Sequence, residues 1–204
     1  MPREARQVEV GRPHHITLRT LKGLVMFDSD AERSAFLDHA RSVASEEGVS
    51  LLSWCLMTNH YHLVCVPNSS TALARMMKRV NHRLSRVINA RSDRSGPAFD
   101  GRFYSCPMDE PHAVAAFRYV NRNPVRSGLA LEAADYRWSS ARYLLGLEGS
   151  DPLVKTREPF GMTLDWTDEL RSDPDQVEAI RASTRRGKAL RTSPSSRPPP
   201  RSVA

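Results

Sequence analysis

The chain has 204 residues, 40% of them hydrophobic, and 30 Lys and Arg against 23 Asp and Glu give it a formal net charge of +7. This composition predicts one compact domain with an appendage, and the basic excess favours nucleic acid as partner over a merely solvated surface. No run of 18 apolar residues occurs, and residues 1–6 lack the apolar core of a signal peptide. We therefore expect no membrane span and a cytoplasmic location.

The first half of the chain alternates strand and helix patterns. Residues 14–20 alternate polar with apolar side chains, as a β-strand does. A capping box at 29–32 then precedes a helical stripe of apolar residues. Two apolar strands follow over 49–57 and 60–66, and the short turn at 58–59 predicts that they pair as a hairpin.

The second half adds a helix, a strand and a further helix. Apolar residues at helical spacing predict a helix over about 71–90. Residues 101–108 predict a strand, and Pro111 suits the first turn of a helix that reaches about Arg122. The resulting βαββαβα order predicts an α+β, ferredoxin-like antiparallel sheet with helices on one face.

The pattern weakens after residue 148. We therefore predict a main domain over 1–148 and a C-terminal extension over 149–204, with one helix at 165–182. Residues 185–204 hold six Arg or Lys and no acid, among Pro and Ser. Such a composition predicts a disordered basic tail.

Two histidines stand two residues apart at the start of the second hairpin strand. Because such residues share a face of a strand, His60 and His62 aim their imidazoles at one point. The pair suits a small metal site, although interior strand histidines also occur simply as hydrogen-bonded groups. Ligation requires a partner for the second nitrogen of each ring, and the sequence identifies none.

Tyr119 and Asn123 are four residues apart, so a helix presents both side chains on one face. Asn123 also precedes Pro124, which places it at the helix end, so a capping role for its amide stays open. Two imidazoles, an amide oxygen and a phenol suit metal-assisted attack of a tyrosine oxygen on a phosphodiester. Open positions for phosphate oxygen and water favour Mg²⁺ or Mn²⁺ over a closed zinc site.

The helix over 71–90 carries basic residues outside its apolar stripe and contains no acid. A face of one sign suits contacts with several phosphates, although such a face also occurs without any ligand. Nearby Phe99, Phe103 and Tyr104 add rings on which unpaired bases could stack, with core packing as the alternative for the phenylalanines. The residues predicted to bind DNA are Arg75, Lys78, Arg79, Arg83, Arg86 and Arg102.

Several segments together resemble the signature blocks of the HUH single-tyrosine transposases, and in particular those of the bacterial REP-associated tyrosine transposases. The similarity runs from about residue 12 to residue 146 in the same order and spacing. The segments that carry it are CLMTNHYHLV at 55–64, FDGRF at 99–103, YVNRNPVRSG at 119–128 and DYRWSS at 135–140.

The resemblance implies that residues 1–148 are a catalytic domain acting on single-stranded DNA, often folded as hairpins. By it, His60, His62 and Asn123 bind the metal, and Tyr119 forms a 5′-phosphotyrosine link and releases a 3′-hydroxyl. Attack by another 3′-hydroxyl then rejoins strands. A monomer is the expected state for this branch.

Two other functions remain open from the sequence alone. One is a domesticated protein that binds DNA hairpins with reduced or no cleavage. The other is a metal phosphoesterase that uses water as nucleophile, in which Tyr119 is dispensable.

Overall fold

The fold is built on an antiparallel four-stranded sheet. The computed structural model describes residues 7–190. The strands are β1 (His14–Arg19), β2 (Val49–Leu56), β3 (His60–Pro67) and β4 (Tyr104–Pro107). Across the sheet the strand order is β2-β3-β1-β4, and each neighbouring pair is antiparallel. The predicted α+β class is therefore confirmed.

The predicted βαββαβα order covers the elements from β1 to the third long helix, and shorter helices follow. None of the helices in residues 7–190 has the length and apolar character that a membrane span requires. The helices are α1 (Asp30–Glu47), α2 (Ala72–Arg91), α3 (Glu110–Asn121), α4 (Asn123–Arg126), α5 (Ala141–Leu144), α6 (Trp166–Glu169) and α7 (Val177–Arg186).

The predicted hairpin of β2 and β3 is present. The Met57 amide donates to the His60 carbonyl oxygen at 2.8 Å, which leaves Thr58 and Asn59 as the turn. On its other edge β3 pairs with β1, so its backbone is hydrogen-bonded on both sides. The start of β3, where the two histidines lie, is consequently a rigid part of the molecule.

Helices α1 and α2 cover one face of the sheet. The hydroxyl of Ser29 caps α1 by accepting from the Glu32 amide at 3.2 Å, and Gly48 ends the helix in the left-handed region with φ 69°. The apolar stripe of α2 packs on the same core as Tyr61 and Leu63 of β3. Both elements form where their local sequence signals predict.

Helices α3 and α7 lie over the opposite face, which differs from the prediction that all helices share one face. Val64 of β3 and Cys55 of β2 project to this side and are fully buried. They pack in one cluster with Phe117 and Val120 of α3 and with Ile180 of α7. Because β3 is apolar on both sides, each side needs a cover.

The C-terminal extension also differs from its prediction. Instead of one helix over 165–182, the shorter helices α6 and α7 form, because Pro174 lies between them and disfavours a continuous helix. Residues 185–190 lie in the segment predicted to be disordered, but the first two of them end α7 and the others reach β4. There the Leu190 amide donates to the Pro107 carbonyl oxygen at 2.9 Å. The remainder of the predicted tail, 191–204, lies outside the described residues.

Candidate active site

A cleft of about 390 Å³ opens on the sheet face that α3 and α7 cover. Strand β3, the corner between α3 and α4, and helix α7 each contribute side chains to it. All four residues predicted to bind metal or attack DNA lie in this one cleft. Its lining includes His15, His60, His62, Tyr119, Asn123, Arg181 and Thr184.

Strand alternation places both histidines of β3 on the cleft side. The ring centres of His60 and His62 are 5.0 Å apart and nearly perpendicular. Tyr61, between them, points to the other side, where its hydroxyl donates to the Asn81 side-chain oxygen at 2.7 Å. The intervening tyrosine is therefore excluded from the cleft, as alternation requires.

Hydrogen bonds define which nitrogen of each histidine carries the proton. His60 Nδ1 lies 2.7 Å from the Asn59 side-chain oxygen, which only accepts, so this nitrogen is protonated. The Asn123 amide nitrogen lies 2.8 Å from His62 Nε2 and only donates, so that nitrogen is unprotonated. Both rings therefore have Nε2 available as a ligand atom.

Burial keeps both of these imidazoles neutral. It lowers the pKa of His60 to about 4, with the charge of Arg19 adding to the effect and a hydrogen bond with Asn123 opposing it. Burial also lowers the pKa of His62 well below its ordinary value, and the neighbouring His60 contributes in the same direction. The neutral ring is the form that binds a metal ion.

Asn123 directs its side chain into the cleft and does not cap the helix. The residue is buried, and its amide contacts His62 as described above. It starts α4 immediately after Arg122, where the backbone leaves the geometry of α3. A 180° flip of the amide group exchanges its nitrogen and oxygen. The oxygen of Asn123 can therefore point toward His62 Nε2 and act as a ligand beside it.

This donor set fits a divalent ion with open coordination positions. Among the described residues, no three His, Cys, Asp or Glu side chains are grouped so as to hold a metal. A site with three protein ligands therefore needs the amide oxygen of Asn123 beside the two imidazole nitrogens. Two nitrogens and one oxygen leave room for phosphate oxygen and water, as Mg²⁺ or Mn²⁺ requires.

Tyr119 lies among the same groups on α3. Its ring meets the His62 ring edge-on with the centres 5.4 Å apart, and the His15 ring at 5.5 Å. The guanidinium of Arg126 lies 4.3 Å from the centre of the phenol ring. The guanidinium of Arg181 on α7 lies 6.0 Å from the centre of the same ring, and its interaction with the Tyr119 side chain raises the pKa of the arginine. Two cations thus flank the phenol.

Two residues that hydrogen-bond within the site, His15 and Thr184, are not predicted by the sequence patterns. His15 Nε2 lies 3.0 Å from His62 Nδ1, and His15 Nδ1 lies 2.8 Å from the Thr184 hydroxyl oxygen. The sequence predicts that His15 lies on the first strand, but it does not predict the antiparallel register of β1 with β3 that brings His15 beside His62. Thr184 lies beyond the predicted C-terminal helix, so no local signal indicated its role.

The residues predicted to bind DNA are divided between two places. Arg102 lines the cleft, whereas α2 lies over the opposite face of the sheet. Although α2 contains no acid, Glu47 of α1 pairs with Arg75 at 2.5 Å and with Arg79 at 3.0 Å. Part of the predicted basic surface is thus neutralised by a different helix.

The other members of the predicted surface are more open. Arg83 lies 3.5 Å from a ring nitrogen of His39. Lys78 and Arg86 are exposed and form no ion pair within residues 7–190. The contribution of α2 to DNA binding stays a prediction.

Residues 13–123 match the model of the IS200-like transposase family. Since this segment is more than half of the 204 residues, the chain belongs to that family. The membership in the single-tyrosine transposases that the sequence motifs predict is therefore confirmed. No curated protein sequence matches the chain.

Two solved structures are similar to this one. The structure of a REP-associated tyrosine transposase bound to a REP hairpin superposes with a TM-score of 0.55 at 14% sequence identity. The aligned region covers 81% of this chain and 96% of that protein. A putative transposase from Deinococcus radiodurans has 15% identity and a TM-score of 0.39, covering 60% of this chain and 97% of that protein. The first of these shows that the two proteins share a fold.

Proposed function

We propose that the chain is a metal-dependent transposase that binds single-stranded, hairpin-bearing DNA, cleaves it through a 5′-phosphotyrosine intermediate and rejoins strands. Membership of the transposase family supports this chemistry. A hairpin ligand is supported by the structural relative that is bound to a REP hairpin. The observation that carries the proposal is the convergence of Tyr119 with His60, His62 and Asn123 in one cleft.

The proposed cleavage step is an exchange of phosphate ester bonds. The Tyr119 oxygen attacks the phosphorus, and the bond from phosphorus to the 3′ oxygen breaks. The phenol gives up its proton, the 3′ oxygen leaves with the bonding electrons and takes up a proton, and the 5′ phosphate stays linked to the tyrosine. A divalent ion held by His60, His62 and Asn123 would act as a Lewis acid at the phosphate.

The cations of the cleft support a reaction on a phosphodiester. Arg126 and Arg181 stand beside Tyr119, where positive charge stabilises both a phenolate and a phosphate in the transition state. Arg19 and Arg102 line the same cleft and are placed to bind neighbouring phosphates. The cleft therefore offers charges for the reacting phosphate and for the strand that continues from it.

A single chain supplies both the tyrosine and the histidines. The His62 and Tyr119 rings of the same chain are in edge-on contact. A monomer that uses its own tyrosine is therefore the assembly that this geometry favours.

The test is a search for a denaturation-resistant adduct between the protein and labelled, hairpin-bearing single-stranded DNA in the presence of Mg²⁺ or Mn²⁺. We expect an adduct that Tyr119→Phe abolishes while DNA binding persists. Tyr104→Phe is the matched control, because Tyr104 is an exposed tyrosine in the same cleft. Cleavage without an adduct would favour a phosphoesterase, and binding without cleavage would favour a domesticated DNA-binding protein.

A further inference from the structure

We propose that His15 and Thr184 are positioning residues that hold His62 in the tautomer with an unprotonated Nε2. The inference rests on the proposed function, in which this nitrogen is a metal ligand. It assigns a role to a histidine of β1 and to a threonine of the C-terminal helix α7, neither of which would touch the metal or the DNA phosphate.

Four side chains of the cleft lining form a continuous hydrogen-bonded row. The row runs from the Asn123 amide nitrogen to His62 Nε2 at 2.8 Å, and from His62 Nδ1 to His15 Nε2 at 3.0 Å. It ends with His15 Nδ1, 2.8 Å from the Thr184 hydroxyl. The two imidazoles are stacked, with centres 5.1 Å apart and planes inclined by 14°.

Only one arrangement of protons satisfies this row with the amide in its present orientation. An amide nitrogen donates and cannot accept, so His62 Nε2 accepts and its proton lies on Nδ1. This proton is donated to His15 Nε2, which places the proton of His15 on Nδ1. That proton is in turn donated to the hydroxyl oxygen of Thr184.

The Thr184 hydroxyl supplies the acceptor that this arrangement needs at the far end of the row, where both histidines are buried. His15 is 1% exposed, so no solvent replaces a lost partner at its Nδ1. If the Thr184 hydroxyl is removed, a proton on that nitrogen has no acceptor, which carries a desolvation cost. The proton then moves to His15 Nε2, which donates to His62 Nδ1, and the proton of His62 moves to Nε2, where the Asn123 amide accepts it by turning its oxygen toward that nitrogen. The ligand nitrogen is thereby blocked.

The row also connects the metal-binding nitrogen with the docking of the C-terminal extension. Thr184 lies in the last turn of α7, and two contacts between the following residues and β4 hold this end of the chain. Cys106 Sγ contacts the Lys188 carbonyl oxygen at 3.0 Å, and the Leu190 amide donates to Pro107. These contacts hold α7 at a fixed distance from β1, and they therefore fix the position of the Thr184 hydroxyl beside His15.

The direct test is the tautomeric state of the histidines in the full-length, metal-free protein. Long-range ¹H–¹⁵N NMR spectra of the rings distinguish a proton on Nδ1 from one on Nε2. We expect the Nδ1–H form for both His15 and His62, and a shift of both toward Nε2–H in Thr184→Val. Wild-type His62 protonated on Nε2, or unchanged tautomers in Thr184→Val, would overturn the proposal.

Two further variants separate the hydroxyl from a general effect on α7. Thr184→Ser keeps the hydroxyl and should keep the wild-type tautomers. Ser183→Ala removes a neighbouring hydroxyl of the same helix that bonds neither histidine, and it should change nothing. Loss of the Nδ1–H form in Ser183→Ala would show that the tautomer follows the packing of α7 and would contradict the role of Thr184.

The second readout is the affinity for Mn²⁺, measured by electron paramagnetic resonance titration without DNA. Loss of the correct partner of a ligating histidine weakens metal binding by roughly 10- to 100-fold. Because Thr184→Val turns His15 from an acceptor into a donor toward His62, we expect a loss of this size for that variant alone. Equal affinities would overturn the proposal. If the wild-type protein shows the expected tautomers and Mn²⁺ binding but forms no DNA adduct, the proposed function fails and the hydrogen-bonded row stands.

Discussion

Arg126 contacts Tyr119 at both its ring and its backbone. The guanidinium lies 4.3 Å from the centre of the phenol ring, and Nη2 donates to the Tyr119 carbonyl oxygen at 2.7 Å. Nη1 of the same arginine donates to an oxygen of Asp173 at 2.6 Å. Because Asp173 precedes α7, the position of the tyrosine depends on the C-terminal extension as well as on its own helix.

The first prediction concerns this arginine. Arg126→Met keeps an unbranched apolar stem but removes the charge and the hydrogen bonds, so the phenol loses its fixed orientation. We expect the rate of adduct formation to fall by roughly 10- to 100-fold, the size of effect that a small misplacement of a reacting group produces, with little change in DNA affinity.

Single-turnover formation of the adduct measures this rate. The control is Arg137→Met, because Arg137 also stacks on an aromatic ring, that of Trp138, but is exposed and remote from the cleft. Equal rates for Arg126→Met and the wild-type protein would contradict a positioning role for Arg126.

The second prediction concerns the use of the tyrosine within one chain. Tyr119→Phe lacks the nucleophile, and His62→Ala lacks a metal ligand. Because one chain assembles both groups in its own cleft, a mixture of the two variants should form no adduct. Recovery of the adduct in the mixture would mean that the tyrosine of one chain serves the histidines of another.

The third prediction concerns a buried polar cluster behind the tyrosine helix. The Asn121 amide nitrogen donates to Ser53 Oγ at 2.9 Å, and its oxygen accepts from Ser140 Oγ at 3.0 Å. Asn121→Ala removes one hydrogen-bond partner from each of these buried hydroxyls, which stay bonded to each other at 3.0 Å. The free energy of unfolding should fall by about 1–3 kcal/mol, because each of the two lost hydrogen bonds contributes about 0.5–1.5 kcal/mol.

Urea unfolding measures this difference. Asn89→Ala is the comparison, because the half-buried Asn89 donates one exposed hydrogen bond, to the Gly96 carbonyl oxygen at 2.8 Å, and its loss should change the free energy of unfolding by no more than about 0.5 kcal/mol. A stability of Asn121→Ala equal to that of the wild-type protein would show that this cluster does not anchor α3 to β2.

Local signals in the sequence predict most of the sheet and the first three helices. The cap at Ser29, the end of α1 at Gly48 and the turn at 58–59 are decided within a few residues. Period-two and period-four spacing predict that His60 shares a face with His62 and Tyr119 with Asn123, and the resemblance to the single-tyrosine transposases implies that the two pairs converge.

The remaining features depend on distant parts of the chain. The spacing of residues in the sequence does not decide whether Asn123 binds metal or caps the helix. Its contact with His62 forms only because α4 packs against β3. His15 reaches His62 only through the register of β1 with β3. The composition of 185–204 predicts disorder, yet Leu190 is fixed on β4 by a backbone hydrogen bond that composition does not encode.

The fourth prediction concerns the basic surface of α2. If this helix binds DNA phosphates, Lys78→Gln and Arg86→Gln should each weaken binding at all sequences and reduce the slope of log affinity against log salt by about 1. Lys155→Gln removes one exposed charge outside α2 and the cleft and serves as control. If Lys78→Gln and Arg86→Gln give the same slope as the control, α2 does not contact DNA phosphates and the DNA binds on the cleft side alone.

The most direct measurement of the central claim is anomalous diffraction from crystals of the full chain soaked with Mn²⁺. We predict one strong peak bonded by His60 Nε2, His62 Nε2 and the side-chain oxygen of Asn123, with the Tyr119 hydroxyl facing it across the cleft. A peak at other ligands, or a tyrosine turned away from the ion, would contradict the account.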